Sequence, residues 1–208
     1  MVEMLEIYDL KGELIGTQDR ASFYREIKDE FAHTGRITRQ VRRVTLLLKN
    51  TKGNIYLQKR SKSKSENSGL YDKTIGGHVK ARNTFDMTMI QESAEELGFP
   101  AAVLPSEDYD QMLRNINLET IAILTQVEIH NNFQSRRVDR KGKIFVQPYI
   151  SASYVGTYDG SLRFTDGESS GIEVFSLQEL EKELEINAGR YTADLSFLVR
   201  RHKNFLSR

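Results

Sequence analysis

The chain has 208 residues, 38% of them hydrophobic, with 30 Lys and Arg against 29 Asp and Glu. That length can bury one sizeable core, and a formal net charge of +1 gives no overall pull toward nucleic acid or a membrane surface. No apolar stretch approaches a membrane-spanning helix, the start lacks a signal-peptide layout, and zero cysteines exclude disulfides, thiolate metal sites and cysteine nucleophiles. A cytoplasmic setting is the expectation.

Residues 1–40 read as a small N-terminal unit. Two short strands, 5–8 and 13–17, flank the turn Asp9-Leu10-Lys11-Gly12. Asp19 or Ser22 then leads into a helix carrying Phe23, Ile27 and Phe31 four apart. A larger unit, 41–208, opens with the continuous apolar run 41–49, as expected of a buried strand. A turn at 50–54, a returning strand at 55–59 and a polar loop at 61–68 follow.

A central helix is bounded by Asn83 or Thr84 as cap and by Gly98-Pro100. Glu92, Glu95 and Glu96 fall within an arc of roughly 100° near its C-terminus, where acids oppose the helix dipole. Phe85, Met87, Met89, Ile90, Ala94 and Leu97 take most of the remaining circumference and predict packing against a core. A hard divalent cation, which takes oxygen ligands, would offset the crowded charge; a bare acidic face is the other reading. The acids around Glu179, Glu181, Glu183 and Glu185 differ, because Ser176 and Glu179 form a capping box that accounts for them structurally.

Beyond that helix, 118–129 and 144–158 predict long strands, with a basic, mobile connection at 134–143 between them. Lys141-Gly142 reads there as an exposed turn with solvated charges. Helices are predicted at 177–184 and 193–201. Strands on either side of a central helix, with helices late, predict an α/β fold in which helices sandwich a mixed sheet.

The run GHVKARNTFDMTMIQESAEELGF, from Gly77 to Phe99, resembles the Nudix box, G-x5-E-x7-R-E-U-x-E-E-x-G-U with U a bulky aliphatic residue. Gly77, Glu92, Glu95, Glu96, Gly98 and Phe99 match. The box is degraded at three positions: Asn83 replaces a glutamate, Gln91 an arginine and Ser93 an aliphatic residue. The first two replacements exchange an acid–base brace for neutral amides, which leaves no charge without its partner.

The resemblance covers most of the chain beyond residue 41 and implies a Nudix-type α/β/α sandwich with a mixed sheet, preceded by the β-hairpin and helix. The N-terminal hairpin and helix are similar to the leader in relatives of isopentenyl diphosphate isomerase. Those isomerases use a cysteine where this chain has Gly76, and a histidine where it has Arg42, so their chemistry is not expected. His78 is read as a structural or loop residue.

The implied activity is divalent-metal-dependent cleavage of a diphosphate bond in a nucleoside-diphosphate-linked or related small molecule, with Mg2+ or Mn2+. The resemblance gives Glu92, Glu96 and the Gly77 carbonyl to the metal, with Glu95 completing the shell directly or through water. Glu168 is the candidate base, with a plain turn acid as the other reading; Glu173 is read as structural. Arg60 and Lys59 are candidates to steer the diphosphate. Many relatives pair, so a homodimer is an open alternative, as is a catalytically weak or inactive Nudix domain that binds nucleotides or regulates.

Overall fold

The computed structural model describes residues 2–163 and 169–208. In chain order the elements are β1 (Met4–Asp9), β2 (Leu14–Asp19), α1 (Arg20–Thr34), β3 (Arg39–Lys49), β4 (Asn54–Arg60), β5 (Tyr71–Asp72) and β6 (Ile75–His78). Then come α2 (Phe85–Leu97), β7 (Ala101–Val103), α3 (Ser106–Leu113), β8 (Ala122–Val138), β9 (Ile144–Thr157) and β10 (Ser169–Ser176). The chain closes with α4 (Leu177–Ile186), α5 (Ala193–Arg201) and α6 (Lys203–Leu206).

Among the described residues the strands form one mixed sheet, with the order β10-β4-β3-β9-β8-β7 along its main path. β3 is its hub. It runs parallel to β9 from Val41 opposite Tyr149 to Lys49 opposite Thr157, and antiparallel to β6, where Val44 faces Gly77. β1 also joins β3, so the N-terminal hairpin extends the same sheet.

The apolar run of β3 is explained by burial on both faces. Val44, Leu46 and Leu48 pack with Met89 and Leu97 of α2, whereas Leu47 meets Leu180, Leu195, Leu198 and Val199 on the other face. A third cluster joins α1 to the sheet through Phe23, Ile27, Val41 and Tyr149. This is the expected mixed sheet between helices, entered through a hairpin and a helix. Among the described residues no helix is long and apolar enough to cross a membrane.

Two expectations need correction. Residues 134–138 belong to the long strand β8, paired with β9 through Val138 opposite Ile144, and the turn is confined to Asp139–Gly142. On α2, Met87 and Ile90 are 50% and 39% exposed, and Ala94 is exposed too; the core stripe is Met89, Ser93 and Leu97. Ser93 is accommodated in that buried stripe because its hydroxyl donates to the Met89 carbonyl at 2.8 Å.

Candidate active site

Helix α2 is held at both ends by its own sequence. Thr84 caps it, accepting from the Met87 N–H at 3.1 Å, and Gly98 ends it in a left-handed conformation with φ 70°. The Asn83 side-chain amide donates to Gln91 Oε1 at 3.1 Å, which joins the loop to the helix by a hydrogen bond. Arg42 secures the loop from the sheet side, donating to the Asn83 carbonyl at 2.9 Å while paired with Glu6 at 2.6 Å.

That placement sets Glu92 directly against β6. A Cβ added to Gly77 would lie 2.2 Å from Glu92 Oε1, so only glycine permits the approach. Glu96, one turn on, is 7% exposed and hydrogen-bonded with Glu92. Burial pushes the Glu92 carboxyl above its ordinary value; the Glu96 hydrogen bond opposes this and the Glu95 charge adds to it. Glu92, Glu95 and Glu96 line one cavity of about 230 Å³ with Gly76, Gly77 and Lys80.

Glu92 is therefore packed against Gly77 with Glu96 hydrogen-bonded beside it in the same cavity, whereas Glu95, which also lines it, is exposed. Among the described residues no three acidic or histidine side chains are gathered closely enough to enclose an ion by themselves. The donor set is nonetheless all oxygen, two crowded carboxylates beside a backbone segment that carries no side chain, and such a set suits a hard divalent cation.

Arg60 lies in the cleft that continues from this cavity, donating to Asp72 Oδ2 at 3.3 Å and to the Glu66 carbonyl at 3.1 Å. Lys59 points to the other face, with its ammonium on the Tyr71 hydroxyl at 3.2 Å, and is not brought to the cleft. Tyr71 also donates to Glu173. Glu168 lies outside the described residues.

Several groups in the cleft escaped sequence reasoning. Arg137, expected in an exposed connection, donates to Glu66 Oε2 at 3.2 Å and to the Tyr149 hydroxyl at 2.8 Å. The alternation of Phe133, Ser135 and Arg137 against exposed Gln134 and Arg136 was the available signal. Lys73 is buried beside Asp72, and a Cβ on Gly76 would lie 2.6 Å from Lys73 Cε. The two glycines thus make room for different side chains, Gly76 for a cation and Gly77 for a carboxylate. His78 lines the cleft and is hydrogen-bonded to the Tyr24 hydroxyl at 2.5 Å. Burial, with Arg20 and Arg137 nearby, pushes its imidazole well below the usual value, so it stands neutral.

The model of the NUDIX domain family matches residues 39–195. The fold is similar to the crystal structure of DR0079 from Deinococcus radiodurans, with 22% identity and a TM-score of 0.63 over 96% of this chain and 98% of that one. It is also similar to the MutT protein of Methanosarcina mazei Go1, at 18% identity and a TM-score of 0.51 over 80% and 94% of the two chains. A bifunctional NMN adenylyltransferase/ADP ribose pyrophosphatase from Francisella tularensis, complexed with AMP and a manganese ion, shares 14% identity at a TM-score of 0.50. That likeness covers 89% of this chain and 47% of the larger protein. No curated protein matches at a significant level.

Proposed function

The chain belongs to the NUDIX domain family, and from that premise we propose that it is a divalent-metal-dependent pyrophosphohydrolase acting on a small diphosphate. The observation that carries this reading is the approach of Glu92 to Gly77, with Glu96 beside it, in a cavity that opens into a cationic cleft. Glu92, Glu96 and the Gly77 carbonyl would hold the cation, with Glu95 reaching it from the rim directly or through water. Magnesium or manganese bound there would neutralise charge on the diphosphate and lower the pKa of the attacking water. The manganese found with AMP in the Francisella protein favours the same cofactor class.

The remaining roles fall to the chain's own groups. Arg60, held on Asp72, presents its guanidinium to phosphate oxygens. Glu168 remains the proposed proton acceptor from water. Lys59 is not retained as a substrate contact, because its ammonium is held on Tyr71 at the opposite face.

A panel of nucleoside triphosphates, dinucleotides and nucleotide sugars, incubated with magnesium and with chelator, tests the proposal. Release of nucleoside monophosphate that requires metal and disappears in Glu96→Gln is expected. Tight binding without turnover across the panel would instead favour a binding module, the reading suggested by Asn83, Gln91 and Ser93.

A further inference from the structure

His78, on the wall of the carboxylate cavity, is held by a part of the chain outside the 39–195 family match. Phe23 and Ile27 of α1 are fully buried with Leu5, Val41 and Tyr149, which fixes the helix against the sheet. Tyr24, next along α1, sets its ring edge-on to His78 at 5.5 Å and its hydroxyl on Nε2 at 2.5 Å. The same hydroxyl meets the Tyr149 hydroxyl at 3.0 Å and the Gln147 side-chain nitrogen at 3.1 Å. A phenol has one proton to give and two lone pairs to receive with, so these neighbours fill it.

Only one arrangement of protons suits every member of this cluster. Gln147 donates to Tyr24, and Arg137 donates to the Tyr149 hydroxyl at 2.8 Å. Tyr149 then gives its own proton to Tyr24, and Tyr24 gives its proton to His78 Nε2. A proton on Nε2 would instead turn the Tyr24 proton onto Tyr149. The Tyr149 proton, on a fully buried side chain, would then meet no acceptor among the described residues, and a buried donor left unmade is costly. Turning the Gln147 amide over does not help, since it would set two N–H bonds where Oε1 already finds no partner.

Nε2 is therefore an acceptor, and the imidazole carries its single proton on Nδ1. That nitrogen meets no partner among the described residues and is not enclosed, so it is open to the cavities that His78 lines. These are the cavity of Gly77, Glu92 and Glu96, of about 230 Å³, and its neighbour of about 490 Å³. A protonated Nδ1 has no lone pair for a metal but can donate to an oxygen.

Building on the hydrolase reading, we propose that Tyr24 locks His78 in its Nδ1–H form and that this N–H donates to a phosphate oxygen of the bound diphosphate. His78 is then a substrate contact rather than a loop residue or a metal ligand, and Tyr24 is a positioning residue acting through it. The N-terminal helix thereby tunes a site whose carboxylates all lie within the family match. In Tyr24→Phe only the hydroxyl is lost, and the freed imidazole divides between its tautomers, so a fraction of it donates.

Nitrogen-15 NMR of histidine-labelled protein reads the tautomer directly, with the His78 signals identified by their loss in His78→Phe. The parent should show a bare Nε2 and a protonated Nδ1, unchanged by saturating magnesium, and Tyr24→Phe should show a mixture. On the nucleotide panel, His78→Phe should lower kcat/KM about tenfold, as loss of a hydrogen bond to a charged group does. Tyr24→Phe should lower it several-fold, and the double variant no further than His78→Phe alone, whereas a merely structural Tyr24 would cost the same in both backgrounds. A protonated Nε2 in the parent, a proton lost from Nδ1 on adding magnesium, or a His78 spectrum untouched by Tyr24→Phe would overturn the lock. Losses that multiply in the double variant would overturn the role in turnover. Absent turnover in the parent, with the tautomer found and released as expected, would sink the hydrolase reading and leave the lock standing.

Discussion

Replacing Glu96 by glutamine is expected to lower kcat for diphosphate hydrolysis by about 10²–10³-fold, as loss of one well-placed electrostatic group does in other enzymes. The side chain is 7% exposed, packed one turn from Glu92 and lining the cavity at Gly77. Glutamine keeps its shape and an oxygen donor but removes the charge. The stability effect should run the other way. Glu92, held above its ordinary value of 4.5 in the folded chain, binds a proton more tightly folded than unfolded. That stabilisation is complete below the unfolded value and lost as pH rises through the folded one. At neutral pH in chelator the crowded carboxylates therefore detract from stability, and Glu92→Gln should melt about 1–2 °C above the parent. The gain should fade toward pH 4.5 and reverse when millimolar magnesium stabilises only the parent. Scanning calorimetry across pH, with and without magnesium, reads all three effects.

Asp194→Ala is expected to be the most damaging single change to the fold, costing about 3–5 kcal/mol, the range for breaking a buried ion pair. Asp194 and Arg43 are 6% and 4% exposed, and the Asp194 carboxylate also accepts from Ser135 at 2.7 Å. Truncation leaves the Arg43 guanidinium buried without its counter-charge. At roughly 2–4 °C per kcal/mol for a chain of this size, melting should fall by about 10 °C. Burial alone would raise the Asp194 pKa, but Arg43 and then Lys73 hold it below the ordinary 3.8. Its contribution is therefore present above the unfolded value and lost as pH falls through the folded one. The difference between parent and variant should shrink only in acid, below about pH 4. Replacing both partners, Arg43→Met with Asp194→Leu, should recover much of the loss, because desolvation of the two ions disappears together.

The parts of the fold legible in sequence were those governed by local chemistry. Thr84, Gly98 and the Ser176–Glu179 capping box mark helix ends by short-range hydrogen bonds, and each does so in the structure. The apolar run of β3 announced a strand covered on both faces. That Glu92 and Gly77 belong to one site was implied by the resemblance to the Nudix box, and the structure packs the two together. What escaped depended on distant partners. Basic residues around Arg137 read as a solvated loop because the alternation from Phe133 to Arg137 is short, and the pairing with β9 that extends it to Val138 is set by a distant partner. Lys73 carried no signal, since its burial is set by Asp72 and by the missing side chain at Gly76. Met87 and Ile90 looked like core residues by helical spacing, yet the stripe that meets β3 is narrower than that pattern allowed.

Crystals grown with manganese and measured at its absorption edge offer the most direct test of where catalysis is housed. An anomalous peak bounded by the Gly77 carbonyl and the carboxylates of Glu92 and Glu96, and absent from Glu92→Gln, Glu96→Gln crystals, is the predicted result. Density there that never takes up manganese at saturating concentration, in a parent enzyme that still hydrolyses diphosphates, would contradict it.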